Sequence, residues 1–550
     1  MSTKAWIRLR SIGDCLQHCH VWRNIVIPPR LIVDTRLRRY SGRLAEHTVR
    51  RQRMATDLWY QDMHRSGEVL LARGARLAGG LRALGVQEGD VVAVLLRNDP
   101  VYADVVHACR IAGCYYCPIN WHFTADEVRF LLSDSGARVL LVQDDLLPAV
   151  RGAVPAGMPV LSVGGPADGA MEYEAWLAQQ PAYDGPRVAP RGHMAYTSGT
   201  TGRPKGVLRQ ALPLDRLEQQ LERMRSVVRQ TYGLEPGCRA LMSAPLYHSA
   251  PGSFIQNALQ MAERLVLTPR FDAEQVLALV EKHRIDVLYL VPIMYVRLLK
   301  LPPEVRARYD LSSIRFVAST GSPCAPEVKR AMLEWLGPVI HETYASSEAG
   351  MITVATPADA AARPGTAGKP VDDAQLRILD QHGRACAPGE IGLVYVRQPA
   401  YPDFTYRNNE AARAAIDRDG LVTLGDMGYV DADGYLFICD RASDMVISGG
   451  VNIYPAEIEH ELVRYPGVAD CVVFGIPDAE YGERLLAMVQ PMPGAEIRED
   501  EVIDWLRQRL SGFKVPRSIV VEAQLPRDET GKLAKRRLRD RYWEGRQRRV

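Results

Sequence analysis

The sequence predicts an α/β protein: a large N-terminal body of parallel-sheet α/β subdomains closed by a β-rich subdomain, then a small α+β C-terminal domain. Three patterns carry this expectation. From about Gly67, an apolar-periodic helix to Leu84, a turn at Gly89-Asp90, a run from Val91 to Leu96 and a helix from Val101 to Ala112 follow one another. The alternation returns at Val139 to Val142, Leu241 to Ala244, Val287 to Leu290 and Arg315 to Ala318, and strands separated by helices pack as parallel sheets with crossover helices. After about Gly389 the pattern turns to short strands, Gly392 to Arg397 and Leu436 to Cys439, with hairpin signals at Asp419-Gly420 and Asp433-Gly434. From Pro455 a helix, a strand at Cys471 to Gly475 and a basic tail form a last unit of about 100 residues, a normal domain size. The domain reading is a 1–53 Arg-rich extension, a 54–441 body and a 442–550 C-terminal domain.

Composition narrows the function. The 550 residues are 47% apolar and 24% charged, which supports several packed units and excludes wholesale disorder. A net charge of +3 on so long a chain creates no field for nucleic acid, so neither DNA nor RNA is implied. Ten cysteines at irregular spacings fit reduced thiols and a cytoplasmic compartment. Cys114 and Cys117 form a CxxC, but they lie in the apolar run Ala112 to Ile119 and read as a buried strand; neither they nor the cluster Cys15, His18, Cys19 and His20 has the second half that a zinc site needs. No stretch reaches the roughly 18 apolar residues of a membrane span, and Val287 to Val296, interrupted by Pro292, reads as a core strand and its exit. The Arg-rich beginning (Arg8, Arg10, Arg23 and on to Arg53) reads as a poorly ordered extension, or a start placed upstream of Met54 or Met63, in preference to a transit peptide. Nothing in the sequence fixes the oligomeric state.

The strongest chemical signal is Tyr196-Thr-Ser-Gly-Thr-Thr-Gly-Arg-Pro-Lys-Gly-Val207. Glycines let successive N–H groups converge on an anion, the hydroxyls of Thr197, Ser198, Thr200 and Thr201 add donors, and Lys205 supplies a point charge. Such a loop holds polyphosphate. Its spacing is not that of the GxxxxGK loop, because two residues separate Gly202 from Lys205. With the elements described next, it resembles the adenylate-forming superfamily of acyl-CoA synthetases, peptide-synthetase adenylation domains and luciferases, from about Gly67 to Arg539.

The resemblance implies roles residue by residue. Thr197, Ser198, Gly199, Thr200, Thr201, Gly202 and Lys205 cradle the ATP phosphates. His248, in Ala244-Pro-Leu-Tyr-His-Ser-Ala-Pro251, matches the gate beside the acyl pocket, and Gly321, Ser322 and Pro323 match the segment along adenine. In His341-Glu-Thr-Tyr-Ala-Ser-Ser-Glu348, Glu342, Thr343 and Tyr344 fall at the adenine, Ser347 keeps the hydroxyl directed at the α-phosphate, and Glu348 holds Mg2+, a hard cation suited to a carboxylate. Ala345 stands where glycine is usual, and its methyl is expected to trim the acyl pocket. Asp426 and Arg441 match the pair on ribose, a carboxylate being a natural acceptor for a vicinal diol. Ser443 occupies the pivot of the C-terminal domain. Gly449 and Gly450 give coenzyme A a close backbone approach, and Asn452 reaches the adenylate. Lys532, in Leu525-Pro-Arg-Asp-Glu-Thr-Gly-Lys-Leu533, matches the catalytic lysine that enters the site for adenylation.

The implied reaction is ATP-dependent formation of an acyl-CoA through an acyl-adenylate, with a mobile C-terminal domain exchanging Lys532 for the Gly449-Gly450 face between the two steps. ATP, Mg2+ and coenzyme A are the expected cofactors and co-substrates, and a fatty or related hydrophobic acid the expected substrate. The rivals are a peptide-synthetase adenylation domain, a luciferase-like oxygenase and a non-catalytic nucleotide-binding relative. Lys205, Glu348, Asp426, Arg441 and Lys532 together argue against the last.

Overall fold

Long runs of β-branched and aliphatic residues form the strands, and the computed structural model arranges them as five sheets. It describes residues 55–197, 204–322, 324–527, 533 and 535–544. The Arg-rich stretch with Cys15, His18, Cys19 and His20 lies outside the described residues, as do Ser198, Gly199, Thr200, Thr201, Gly202, Pro323 and Lys532.

Asp57–Tyr60, Arg264–Leu267, Arg239–Met242, Val287–Leu290, Phe316–Ser319 and Ile340–Ser346 run parallel in a nine-stranded sheet. A second, all-parallel sheet joins Tyr115–Pro118, Val91–Leu95, Ala137–Gln143, Val160–Val163 and Met171–Glu172. Strands of this kind are buried on both faces and read as continuous apolar runs, which is why they stand out in the sequence. Cys117 lies in the second sheet and Cys114 just before it, both buried. The helices between them carry clear end signals: Ser66 caps Gly67–Ala83 at the Val69 N–H, and Val101–Ala112 stops at Gly113, left-handed at φ 68°.

Two details differ from the sequence reading. The large sheet is not wholly parallel, because Gly350–Ala355 turns back antiparallel on Ile340–Ser346 with a bulge at Tyr344/Ala345. The strand expected over Leu241 to Ala244 ends at Met242, because the Ala244 carbonyl leaves the ladder to accept a hydrogen bond from Asn98.

Asn98 joins the two sheets. Its amide donates to Ala244 O and Thr268 O at 3.0 Å each, and its carbonyl accepts Leu246 N–H at 2.9 Å, all inside the core. This fixes the departure of the chain toward His248.

The β-rich subdomain is an antiparallel sheet built on Gln375–Leu379, Gly392–Arg397, Leu421–Val430 and Leu436–Arg441. A three-stranded sheet pairs Ala195–Thr197 with Lys205–Arg209 and the latter with Phe404–Tyr406. The C-terminal part has its own core, including Ile458, Leu462, Val473 and Val489, around a long hairpin of Val468–Asp478 and Gly482–Pro491. No described helix is long and apolar enough to cross a membrane.

Asn98→Ala strips three buried backbone groups of their partner, each costing about 1–3 kcal/mol when left unpaired. Thermal unfolding should show a Tm lower by several degrees, and an unchanged Tm would mean that the two sheets are held together by packing alone.

Candidate active site

The C-terminal ends of the parallel strands and the three-stranded sheet enclose a cavity of about 890 Å³. Thr197 and Lys205 are directly paired across neighbouring strands, so the ends of the phosphate segment are held together at the cavity wall. Lys205 and Arg209, four residues apart on one strand, share a face, and both line the cavity. The Lys205 ammonium lies 5.1 Å from the centre of the Tyr406 ring.

Glu348 is buried beside them. One of its carboxylate oxygens, Oε1, accepts from Thr197 Oγ1 at 3.2 Å and from the Tyr406 hydroxyl at 3.0 Å. The other oxygen has no protein hydrogen-bond donor among the described residues, so the donor set fits a hard cation that also contacts phosphate oxygens.

Arg209 supports this acid from behind. Its guanidinium donates to the carbonyls of Pro402 at 2.8 Å, Ser347 at 2.8 Å and Glu348 at 3.0 Å, and stacks 5.1 Å from the Tyr401 ring centre. Burial lowers its pKa, with Tyr401 and Glu348 acting in the opposite direction. Neither Arg209 nor Tyr406 belongs to a motif singled out in the sequence. The legible signal for Arg209 was its place on the same strand face as Lys205.

From the β-rich subdomain, Asp426 bridges Arg441 and Tyr344: Arg441 Nε lies 3.2 Å from Oδ1, and the Tyr344 hydroxyl donates to Oδ2 at 2.6 Å. Burial and the adjacent Asp426 raise the Tyr344 pKa, keeping it a neutral donor. Gly321 lines the cavity with φ +99°, a conformation that favours glycine, and His248 lines it with its ring 4.4 Å from that of Tyr247. Ser347 and Ala345 also line it.

Five predicted residues lie elsewhere. Thr343 is buried with its hydroxyl donating to Thr231 O at 3.4 Å, and the Glu342 carboxylate is ion-paired with buried Lys329. Consecutive on Ile340–Ser346, they point to opposite faces of the sheet, Thr343 toward helix Leu217–Tyr232 and Glu342 toward helix Pro326–Leu336. Gly449 and Gly450 do not line the cavity; with φ of +57° and +82° they form the two-residue turn between Val446–Ser448 and Val451–Ile453, and the turn alone accounts for the glycines. Asn452 is exposed on the second of those strands. Ser443 does reach the cavity, and its carbonyl accepts from Arg539 at 3.0 Å.

The sequence model of the AMP-binding enzyme family matches residues 45–401, and that of the AMP-binding enzyme C-terminal domain matches 457–532. The chain belongs to the AMP-binding enzymes. It is 36% identical over 508 residues to a feruloyl-CoA synthase of Amycolatopsis sp., covering 91% of this chain and 97% of that one. An indoleacetate–CoA ligase of Aromatoleum aromaticum is 34% identical, with 84% and 90% covered. Among solved structures, ATP-bound MatB from Rhodopseudomonas palustris superimposes with a TM-score of 0.78 at 28% identity, over 89% and 96% of the two chains. This AMP-binding enzyme is an ATP-dependent, AMP-forming acid–thiol ligase that works through an adenylate and uses ATP, Mg2+ and coenzyme A.

The enzyme's cavity wall includes a histidine that the motifs did not flag. His193 contacts Ser249 Oγ through Nε2 at 3.1 Å and the Gln256 amide through Nδ1 at 2.6 Å, and Gln256 also donates to the Tyr116 hydroxyl at 2.7 Å. Burial, with Arg209 nearby, lowers its pKa to about 4, so this ring is uncharged at neutral pH.

Two measurements test this arrangement. Arg209→Met releases the carbonyls that position Glu348 and should weaken the Mg2+ dependence of pyrophosphate release about 10–100-fold, the usual cost of losing such a support; a general loss at saturating Mg2+ with unchanged Mg2+ affinity would contradict that role. The folded pKa of His193 lies below the ordinary 6.5, so its contribution to stability is complete above 6.5 and lost as pH falls toward 4. His193→Gln should therefore lose less Tm than the parent between pH 7 and pH 5, and parallel Tm curves would count against a buried neutral ring.

Proposed function

We propose that the acid activated is an aromatic carboxylic acid, that residues 54–441 form the AMP-binding body and 442–550 the C-terminal domain, and that the residues named above serve the roles their positions suggest. The observation that carries the substrate reading is the acyl side of the cavity. Tyr232 and Tyr289 line it, their ring centres 6.1 Å apart and nearly perpendicular, with Phe254 packed edge-on against both. Offset and edge-to-face contacts of this kind suit a planar ring. The two curated relatives act on ferulate and indoleacetate by name, which favours the same class. A fatty acid is the second reading, favoured by a relative named as a long-chain-fatty-acid–CoA ligase, at 31% identity.

In the first step the carboxylate oxygen attacks the α-phosphorus and the bond to the β-phosphate breaks, so that pyrophosphate leaves. Lys205 and the Thr197 end of the loop bind the departing phosphates. Asp426 and Arg441 hold the ribose, and Gly321 lets the backbone lie close to adenine. Glu348 would hold magnesium, which would supply positive charge at the phosphate oxygens. Lys532 orients the carboxylate, an electrostatic contribution that is often the largest in such displacements. In the second step the thiol sulfur attacks the acyl carbon, its proton is released and AMP departs with the carboxylate oxygen. Ala345, on the cavity wall beside its strand partner Met351, narrows the acyl side.

ATP/pyrophosphate exchange over a panel of aryl, arylacetic, arylpropenoic and fatty acids tests the reading, with CoA-dependent AMP release as the second readout. Aromatic acids should give the highest kcat/KM. Lys532→Ala should lose exchange by about 10²–10³-fold, the range for removing one transition-state donor, yet still convert a supplied acyl-adenylate to thioester. Faster exchange with long-chain fatty acids than with every aromatic acid would overturn the substrate class.

A further inference from the structure

The cavity continues past the acyl site. Helix Ser249–Met261 presents Ser249, Ser253, Gln256 and Gln260 to it along one face, so the lining runs on the order of 15 Å beyond the His248 gate at a rise of 1.5 Å per residue. Helix Leu217–Tyr232 forms another wall: Tyr232 donates to Ala250 O at 3.0 Å at the gate end, and Arg225 stands about 10 Å earlier along the helix axis. Helix Val101–Ala112 contributes Val106, Cys109 and Arg110 to the lining.

Arg110 is the unusual group. It is partly buried, and among the described residues its guanidinium has no hydrogen bond and no ion pair. The charged groups around it are occupied: Arg225 with Glu222 at 3.2 Å, and Glu218 with Arg187 at 2.6 Å. Burial and Arg225 depress its pKa, with Glu218 partly offsetting them. The polar wall nearby is internally satisfied, since Gln256 is committed to His193 and Tyr116. One cation therefore faces the end of the acyl cavity without a counter-charge.

We propose that Arg110 is a specificity residue that receives a second carboxylate at the far end of the substrate. A guanidinium fork matches a carboxylate with two parallel hydrogen bonds, whereas an apolar tail reaching the same place would strip water from an unpaired charge, a costly exchange. The cavity thus selects elongated acids whose distal carboxylate lies on the order of 10–15 Å from the activated one, the span set by the helical rise along its walls. Shorter acids do not reach Arg110 and are indifferent to it. The inference rests on the acid–thiol ligase reading of this cavity and not on the aromatic nature of the substrate.

The test is adenylation, followed as ATP/pyrophosphate exchange with coenzyme A-dependent AMP release as the second readout, for α,ω-dicarboxylic acids of six to fourteen carbons against monocarboxylic acids of equal length, with cinnamate as the short reference. In the parent enzyme the diacid should be preferred by at least tenfold in kcat/KM, and only in the longer members. Arg110→Met should lower kcat/KM for long diacids by tenfold or more through KM, raise it for long monoacids and leave cinnamate unchanged; Arg110→Lys should recover part of the diacid preference, and matched Tm values should exclude misfolding. No diacid preference at any length, an equal loss for all acids, or a raised KM for coenzyme A with acid kinetics intact would each overturn the proposal. Activity on long diacids but not on any aromatic acid would refute the aromatic reading and leave this one standing, whereas no adenylation of any acid would refute both.

Discussion

Burying one guanidinium decides much of the catalytic geometry. Among the described residues Arg209 has no carboxylate in hydrogen-bond contact; instead it donates to three main-chain carbonyls drawn from two segments, Ser347-Glu348 and Pro402. An unpaired buried charge is among the costliest features a fold can carry, so these carbonyls cannot move away without leaving it stranded. The constraint reaches Glu348 through its own main chain and Tyr406 through the segment that follows Pro402. The Tyr406 hydroxyl and Thr197 Oγ1 meet at one oxygen of Glu348, a residue that lines the cavity. The position of the Glu348 carboxylate therefore derives from a desolvated group that acts through main-chain carbonyls.

The remaining elements follow a simple division of labour. Parallel strands supply their C-terminal ends, where open α/β sheets gather ligands, and Gly321, His248 and Ala345 emerge there. The antiparallel β-rich subdomain supplies Asp426 and Arg441, which lie opposite each other in its ladder. Cross-strand register thus sets this pair as firmly as strand order sets the places of Gly321, His248 and Ala345. Asn98 connects the two levels, because one amide binds the exits of two strands and so fixes the starting point of the gate segment.

How much of this could be read beforehand depended on the range of the interaction. Strands such as Val91–Leu95 and Val287–Leu290 announced themselves because burial on both faces removes polar residues from them. Thr197, Lys205, Glu348, Asp426 and Arg441 were legible because their chemistry is written in short ordered motifs. Arg209, Tyr406, His193 and Asn98 were not, since each acts on partners more than fifty residues away and stands in no distinctive local pattern. Thr343 and Glu342 show a different limit: a motif names consecutive residues, but a strand turns neighbours to opposite faces, here one to Thr231 and the other to Lys329. At Gly449 and Gly450 the turn by itself already calls for glycine, whatever else approaches that face.

The seating of the C-terminal part bears on how readily it could move. If Ser443 is the pivot, as the family resemblance implies, Asp440 stays with the body while Ala456, Glu459 and Arg464 travel. The described contacts across that division include Ala456 N–H to Asp440 at 2.9 Å and Arg464 to Glu327 at 3.3 Å. The second is a partly exposed ion pair, a type worth about 0–1 kcal/mol. Lys535 belongs to the moving side: it pairs with Glu459 at 2.9 Å, and although burial opposes its charge, Glu459, Asp440 and Asp444 together raise its pKa. Because its direct partner would travel with it, rotation need not leave that ammonium stranded. Polar links of this kind can be exchanged for water or for new partners, whereas an apolar seam would have to be opened. That is the energetic condition for one domain to present two faces in turn to the same adenylate.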